Sequence, residues 1–263
     1  MAFDRAAEFY DATRTLPPET LAAALEAIVG LAGDRGRLLE IGVGTGRIAL
    51  PLAAAGLDVT GVDLSFPMVS KLLQKSGGPT ACRVALADAT HLPFAEATFG
   101  AGLGVHVLHL IGDWRRAVAE LVRVVRPGGV LLFDVGASDT RRSGGRRGPA
   151  REIEERFQKE AGLERRHPGL GPGPELDEEM ASHGARALLV APIRGALQVP
   201  PALIIRMFEE NVFSWTWPLA EDRRRAVAAS VREWAAAKFG DLNRPREEPV
   251  VVAIRAYELP DGA

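Results

Sequence analysis

The segment RLLEIGVGTGRIALPLAAAGLDVTGVD, Arg37 to Asp63, narrows the folds open to this chain more than any other stretch. Two apolar runs of strand length, RLLEIG and LDVTGVD, flank a helical stretch that closes at Gly56. A strand, a helix and a second strand in this order predict a parallel pair joined by a crossover helix. The alternation continues downstream. Ser65 is placed to cap a helix from Phe66, with Pro67 tolerated in its first turn. ACRVALAD and FGAGLGVHVL read as the third and fourth strands, and the glycines of the fourth suggest close backbone approach or a cavity. From Trp114 to Arg126, Ala117, Val118, Leu121 and Val125 form an apolar helical face, which Pro127-Gly128-Gly129 ends before a fifth strand, VLLFDV. Upstream, LPPE starts a leading helix whose apolar face carries Leu21, Leu25, Ile28 and Val29. Pro51 falls inside the first crossover helix, where it deletes a hydrogen bond and is expected to kink the axis.

The character of the chain changes at RRSGGRRGPAR, residues 141–151. A polar helix REIEERFQKEAGLERR follows, then a Gly/Pro-rich loop HPGLGPGPELD and a strand around ARALLVAPIRGAL. PALIIRMFEENVFSWTW, a helix EDRRRAVAASVREWAAAKFG and a last strand PVVVAIRAYEL complete the chain. Two late strands extending the sheet of five give the expected fold. It is an α/β, doubly wound, Rossmann-like, mostly parallel seven-stranded sheet with helices on both faces and a helical lid inserted after strand five. Three regions follow: a helical segment 1–36 covering the cofactor site, a binding core 37–138, and a lid or substrate region 139–263 that includes the last two strands.

Glycine at 42, 44 and 46 lets main chain approach a ligand at the turn between strand and helix. Asp63 ends the second strand, where a carboxylate accepts both hydrogen bonds of a ribose diol. Together they point to an adenosine-containing ligand. A dinucleotide fold prefers G-x-G-x-x-G, with the pyrophosphate at the helix N-terminus. Here the spacing is Glu40-x-Gly42-x-Gly44-x-Gly46, and position 47 is arginine.

In this acid followed by alternating glycines the chain resembles the class I S-adenosylmethionine-dependent methyltransferases. It is most similar to the group containing the ubiquinone and menaquinone biosynthesis methyltransferases, those with a methyltransferase type 11 domain. EIGVGTGRIALPLA, VTGVDLSFPMV, ADATHLPFAEATFG and AVAELVRVVRPGGVLLF match the group in order, over residues 37–135. The resemblance implies S-adenosylmethionine as cofactor and residue roles to go with it. Main chain at Gly42, Gly44, Thr45 and Gly46 would line the methionine moiety, with Glu40 beneath. Asp63 would hold the ribose, Leu64 and Met68 the adenine face, and Asp88 the adenine amino group, with Ala89 backbone beside it. Val105 and His106 would face cofactor and substrate. EFYDATR resembles the group's N-terminal Tyr-Asp segment, so Tyr10 would cover the sulfonium end and Arg14 pair with the methionine carboxylate.

Methyl transfer needs a base only if the acceptor must lose a proton. His106 and His109, after the fourth strand, are the candidates for that role, with a purely structural role as the alternative for each. No Asn-Pro-Pro-Tyr-type motif follows strand four, which favours a small-molecule acceptor over nucleic acid. Phe208, Phe213, Trp215 and Trp217 would wall an apolar acceptor or else form plain core. Arg141, Arg142, Arg146 and Arg147 would meet an anionic acceptor or RNA, or lie solvated.

With 32 Lys and Arg against 34 Asp and Glu, the chain has no global pull toward nucleic acid or anionic membrane. Cys82 is the only cysteine, which excludes an internal disulfide and a Cys-rich metal site; no metal is expected, and a reducing cytoplasm fits. The N-terminus lacks the apolar core of a signal peptide, and no apolar block has membrane-spanning length. Three other readings remain open at this point: an NAD(P)-dependent oxidoreductase, a non-catalytic S-adenosylmethionine-binding protein and an RNA methyltransferase. Oligomeric state is not legible.

Overall fold

The computed structural model describes residues 11, 16–76, 82–134, 148–163 and 168–262. In chain order these carry α1 (Pro18–Ala32), β1 (Leu38–Ile41), α2 (Ala49–Ala54), β2 (Val59–Asp63), α3 (Phe66–Lys75), β3 (Arg83–Leu86) and β4 (Phe99–Val105). Then follow α4 (Trp114–Val124), β5 (Val125–Asp134), α5 (Pro149–Ala161), α6 (Glu175–Ser182), β6 (Arg186–Leu188), β7 (Ile193–Val199), α7 (Pro201–Glu209), α8 (Glu221–Phe239), β8 (Arg246–Val252) and β9 (Ile254–Glu258). Seven strands form one sheet in the order β3-β2-β1-β4-β5-β9-β6, and β7 pairs with β8 in a second sheet of two strands. β1 through β5 pair in parallel, while β9 runs antiparallel to β5 and β6 antiparallel to β9.

The apolar runs of the sequence are unbroken because the central strands are covered on both faces. All four residues of β1 are buried. Leu39 and Ile41 join Ala117, Val118 and Leu121 of α4 in one core. Leu38 joins Ile28 of α1, Leu52 of α2 and Leu72 of α3 in the other. In α1 the buried line is Thr20, Ala24, Ile28 and Ala32, with the expected Leu21, Leu25 and Val29 packed at its flanks. Small residues at the contact let that helix lie close to the sheet. On β4, a Cβ added at Gly102 would sit 2.6 Å from Leu131 Cδ2, so the strand's glycines serve close packing.

Several local expectations change. Pro51 stands in the first turn of α2, which begins only at Ala49, so its missing N–H deletes no interior bond and the expected kink has no cause. Val125 is the first residue of β5 rather than part of the α4 face, and Pro127-Gly128-Gly129 lies inside that strand. The register between β4 and β5 shifts there, and such an irregularity accommodates a proline without a donor. The single strand expected at ARALLVAPIRGAL divides into β6 and β7, and the last one into β8 and β9, each pair contributing to both sheets. Helix α6 was hidden behind a Gly/Pro-rich stretch; Leu176 and Met180 bury its inner face, and three acids in its first turn suit the helix N-terminus.

Chain contacts divide into two units. The first holds the seven-stranded sheet with α1 to α4 and α6; the second holds α5, α7 and α8 with most of β7 and β8. The second unit has its own core of Ile153, Phe157, Ile205, Phe208, Val227, Val231 and Ala235. Phe208 is buried there, 4.7 Å from Phe157 and 5.4 Å from Trp215 between ring centres, with Phe213 at 5.3 Å. Trp217 donates from Nε1 to the Asn211 carbonyl at 3.1 Å. Of the two readings of this aromatic group, Phe208 takes the core one. Arg141, Arg142, Arg146 and Arg147 lie outside the described residues. Among the described residues no helix is long and apolar enough to cross a membrane.

Two glycines give opposite predictions. A Cβ at Gly100 would lie 1.5 Å from the Arg35 carbonyl oxygen, whereas at Gly30, within α1, it meets nothing inside 4 Å. Urea unfolding should show Gly100→Ala losing about 3 kcal/mol or more and Gly30→Ala gaining about 0.5–1 kcal/mol.

Candidate active site

In an open α/β sheet a ligand crevice forms at the carboxyl ends of the strands, where the strand order reverses. Here that point lies between β1 and β4, whose neighbours lead outward on either side. Register aligns the strand ends: Ile41 faces Val62 on β2 and Gly104 on β4, and Asp63 faces Leu86 on β3. Residues 42–46, 63–65, 87–89 and 105–107 thereby converge on one edge. A cavity of about 440 Å³ near Val29, Arg37 and Asp58 lies at the opposite edge, where the strands begin, and has no part in this arrangement.

The glycine turn divides its labour. All three glycines have positive φ, +65°, +54° and +77°. A Cβ at Gly42 would meet Val107 Cγ2 at 2.4 Å, and one at Gly46 would meet Leu72 and Leu50 at 2.8 and 2.9 Å. Those two glycines are required by the protein's own packing. At Gly44 the nearest atom is the Gly42 carbonyl oxygen at 3.9 Å, so here alone in the turn a side chain would enter open space rather than protein. Main chain at Gly44 is thus open to a ligand.

Asp63 fixes this turn to β2. Its Oδ2 accepts the Gly44 amide at 2.8 Å and its Oδ1 accepts the Ser65 amide at 2.8 Å. Each carboxylate oxygen can take more than one hydrogen bond. Beside it Leu64 is 70% exposed, an apolar surface at the mouth, whereas Met68 is buried at 3% within the first turn of α3. The structure brings Leu64 to the site and places Met68 in the core.

Beneath the turn, Glu40 is 2% exposed and its Oε2 has no hydrogen-bond partner. Burial pushes its carboxyl up to about 8, against the opposing charge of Arg47 and with help from Asp63. An unpartnered buried oxygen is costly, and a cationic ligand group such as an ammonium would relieve it. Open space at Gly44, a carboxylate at the strand end and this orphaned oxygen together fit a nucleoside that carries a charged amino-acid tail.

At the end of β3 the Asp88 carboxylate accepts the Thr90 amide and hydroxyl, each at 2.8 Å, and these bonds hold it below the usual carboxylate range. Asp88 is thus both a turn residue and exposed at the site edge, next to buried Ala89. The segment that follows is clamped to α4. Glu120 Oε2 accepts the Leu92 amide at 2.8 Å, and Arg123 binds Glu120 at 2.7 Å and the carbonyls of Phe94 and Leu92 at 2.8 and 3.1 Å. The charged pair inside AELVRVV therefore positions the Asp88 loop.

At the end of β4, Val105 is half-buried, and the next residue, His106, adopts φ 51°, unusual for a residue with a Cβ. His106 Nε2 stands 3.2 Å from Asp134 Oδ2. His109 lies in a 3-10 turn, Leu108–Leu110, tied by backbone bonds to Gly169 and Leu170. Two acids missed in the sequence belong to this edge. Asp134 ends β5 opposite Val105, and the signal was the final acid of VLLFD. Asp11 accepts the Thr45 hydroxyl at 2.5 Å and pairs with Lys75 at 2.8 Å. Burial raises the Asp11 carboxyl, but those two bonds and the charges of Lys75 and Arg47 outweigh it and hold it low. Tyr10 and Arg14 lie outside the described residues.

The state of Glu40 has a measurable sign. Its carboxyl stays neutral in the fold up to about 8 while an unfolded chain ionises it from about 4.5. The stability it permits is complete below the lower value and is lost as pH rises to the upper one. Denaturant midpoints from pH 4.5 to 8.5 should therefore show Glu40→Gln gaining steadily on the wild type across that window and levelling off above it.

Comparison with known proteins agrees with this geometry. Residues 39–133 match a family described as a methyltransferase domain. A malonyl-[acyl-carrier protein] O-methyltransferase of Salmonella typhimurium is 33% identical over 132 residues, 50% of this chain and 51% of that protein. A demethylmenaquinone methyltransferase of Clavibacter sepedonicus is 33% identical over 136 residues, 50% of this chain and 55% of its own length. The chain thus spans about half the length of the curated relatives it matches. The solved structure of a candidate type II methyltransferase from Anaeromyxobacter dehalogenans superposes with a TM-score of 0.64 at 20% identity, covering 91% of this chain and 97% of that one, which shows a shared fold. The matched stretch, residues 39–133, is similar to a methyltransferase domain and holds the glycine turn, Asp63, Asp88 and His106.

Proposed function

We propose that this protein transfers a methyl group from S-adenosylmethionine to a small-molecule acceptor. The observation that carries the reading is the edge at the β1/β4 switch point, where open main chain at Gly44, the anchored Asp63 carboxylate and the orphaned Glu40 oxygen converge. In this reading Gly42, Gly44, Thr45 and Gly46 line the amino-acid tail above Glu40. Asp63 receives the ribose hydroxyls, Leu64 covers one face of the base, and Asp88 with the Ala89 backbone meets its amino group. Tyr10 and Arg14 are assigned to the tail and sulfonium end.

The bound cofactor supplies an activated methyl on a sulfonium, so the chain's own work is approach geometry, exclusion of water and placement of charge. Asp63 and the glycine turn fix where the methyl lies. Val105 and His106, one strand over, present the surface from which an acceptor approaches. The relatives named above act, by their names, on malonyl-[acyl-carrier protein] and demethylmenaquinone. Neither is a nucleic acid, which supports a small or carrier-bound acceptor here.

Calorimetry with S-adenosylhomocysteine and, separately, NADH tests the cofactor. Binding of the first at micromolar concentration and none of the second is expected; the reverse would replace this reading with a nicotinamide enzyme. Gly44→Ala and Asp63→Asn should each weaken S-adenosylhomocysteine at least tenfold; the Cβ at Gly44 has room but meets a positive φ that costs about 1–3 kcal/mol, so the fold of Gly44→Ala is checked by its urea midpoint. Labelled methyl incubated with a metabolite extract should enter low-mass products, and label confined to RNA would redirect the proposal to the arginine-rich stretch at 141–147.

A further inference from the structure

Among the described residues six large apolar side chains are exposed, and four of them, Leu64, Phe66, Leu73 and Leu86, fall in one stretch around α3 and β3. Leu64 belongs to the mouth of the site; the other three lie along one flank of the sheet. Leu86 faces Asp63 in register, and Phe66 opens α3 three residues after Asp63. Phe66 is 66% exposed, Leu73 48% and Leu86 52%, so an apolar strip meets water along this flank. The contacts of α3 give the strip its direction. Met68, Val69 and Leu72 form the buried face of the helix, whereas Phe66, Ser70 and Leu73, spaced i, i+4 and i+7, share another face. Lys75 stands about two and a half turns from Phe66, on the opposite flank, and is tied through Asp11 to Thr45 in the turn after β1. The Lys75 flank thus faces β1, and the Phe66 flank faces outward past β3, which ends the strand order.

We propose that this flank is a dimer interface, on which a second copy of the chain adds its own β3 antiparallel to β3 about a twofold axis. A terminal strand offers a row of N–H and C=O groups to a partner strand, and a twofold requires the same patch on both copies. The strip meets that requirement. With Ala85 on the axis, Val84, packed partly into the core beneath α3, faces the partner's Leu86 on the same side of the joined sheet. The two α3 helices then run antiparallel beside one another, with small Ser70 at their crossing and Phe66 against the partner's Leu73. Charge does not oppose the contact, since no Asp or Glu occurs from Leu64 to Leu86. Of the three cations in that stretch, Lys75 and Arg83 are already paired with Asp11 and Asp58, and Lys71, five residues from Phe66, lies on the flank away from the strip. Phe66, Leu73 and Leu86 leave about 300 Å² of apolar surface uncovered, as much as a monomer usually shows in its largest patch. That is also the apolar share of one side of a small stable interface, about 600 Å² per copy. Nothing in this contact depends on the methyl-transfer reading.

Analytical ultracentrifugation of the full chain from about 1 to 100 µM tests the interface. The wild type should sediment at twice the chain mass with a dissociation constant in the micromolar range or below. Phe66→Ser combined with Leu73→Ser should weaken association about 100-fold or more, whereas Leu189→Ser, beyond the other terminal strand β6, should leave it unchanged. Both replaced side chains are exposed, so the urea midpoint of the double variant should stay that of the wild type; should it fall, a second variant decides. In Ser70→Cys a short bis-maleimide should join two copies through position 70, the native Cys82 being buried, while Ser182→Cys, exposed at the end of α6, should not be joined. A wild type that stays monomeric throughout, a dimer that survives the double variant, or no link in Ser70→Cys overturns the proposal. A monomer that pellets with phosphatidylglycerol vesicles through Phe66 and Leu73 overturns it too, and would give the strip to a membrane.

Discussion

The structure depends on the parallel register of β1, which is held between β2 and β4. Because the three strands run the same way and end level with one another, the turns after them share one edge of the sheet. A single carboxylate then locks two of those turns together, Asp63 accepting the amides of Gly44 and Ser65. Parallel strands cannot be joined by tight hairpins, so the connections cross over the sheet, through α2, α3 and α4 after β1, β2 and β4 and through a loop after β3. The site is a consequence of that rule. Its charged and polar groups come from four separate connections, none of which would meet in an antiparallel sheet.

This edge is also where the structure spends stability. Glu40 is buried with an unpartnered oxygen, three successive glycines take positive φ, and His106 does so with a Cβ. By contrast, Glu120 and Arg123 satisfy each other and the loop beside them. Such features together at the carboxyl edge of the sheet are what a functional site is expected to show. The second unit, with its interior of Phe157, Phe208 and aliphatic residues, reads as ordinary core.

Much of the first unit was legible because its signals are local. Strand-length runs bounded by glycine, the Ser65 cap and the apolar face of α4 each depend on residues a few positions apart, and each appears, the α4 face without Val125. What failed was also local in cause. Pro51 seemed a kink only because the start of α2 was placed too early. Helix α6 was masked by the prolines and glycines before it, although Leu176 and Met180 carry its spacing. The late strands were read as single runs because nothing in ARALLVAPIRGAL tells which residues will pair with β9 and which with β8.

For the site the division is sharper. The chain's own order of residues determined the alternating fold, the glycine turn after β1 and the acid after β2, since strand length, helix period and glycine's freedom at positive φ are properties of short segments. Only the tertiary structure decided that Gly42 and Gly46 serve packing while Gly44 faces open space, that Met68 is core while Leu64 is surface, and that Asp134 meets His106. Those outcomes depend on register between strands and on helices packing across the sheet, and residues twenty-eight positions apart, as His106 and Asp134 are, share no local signal that would announce their contact.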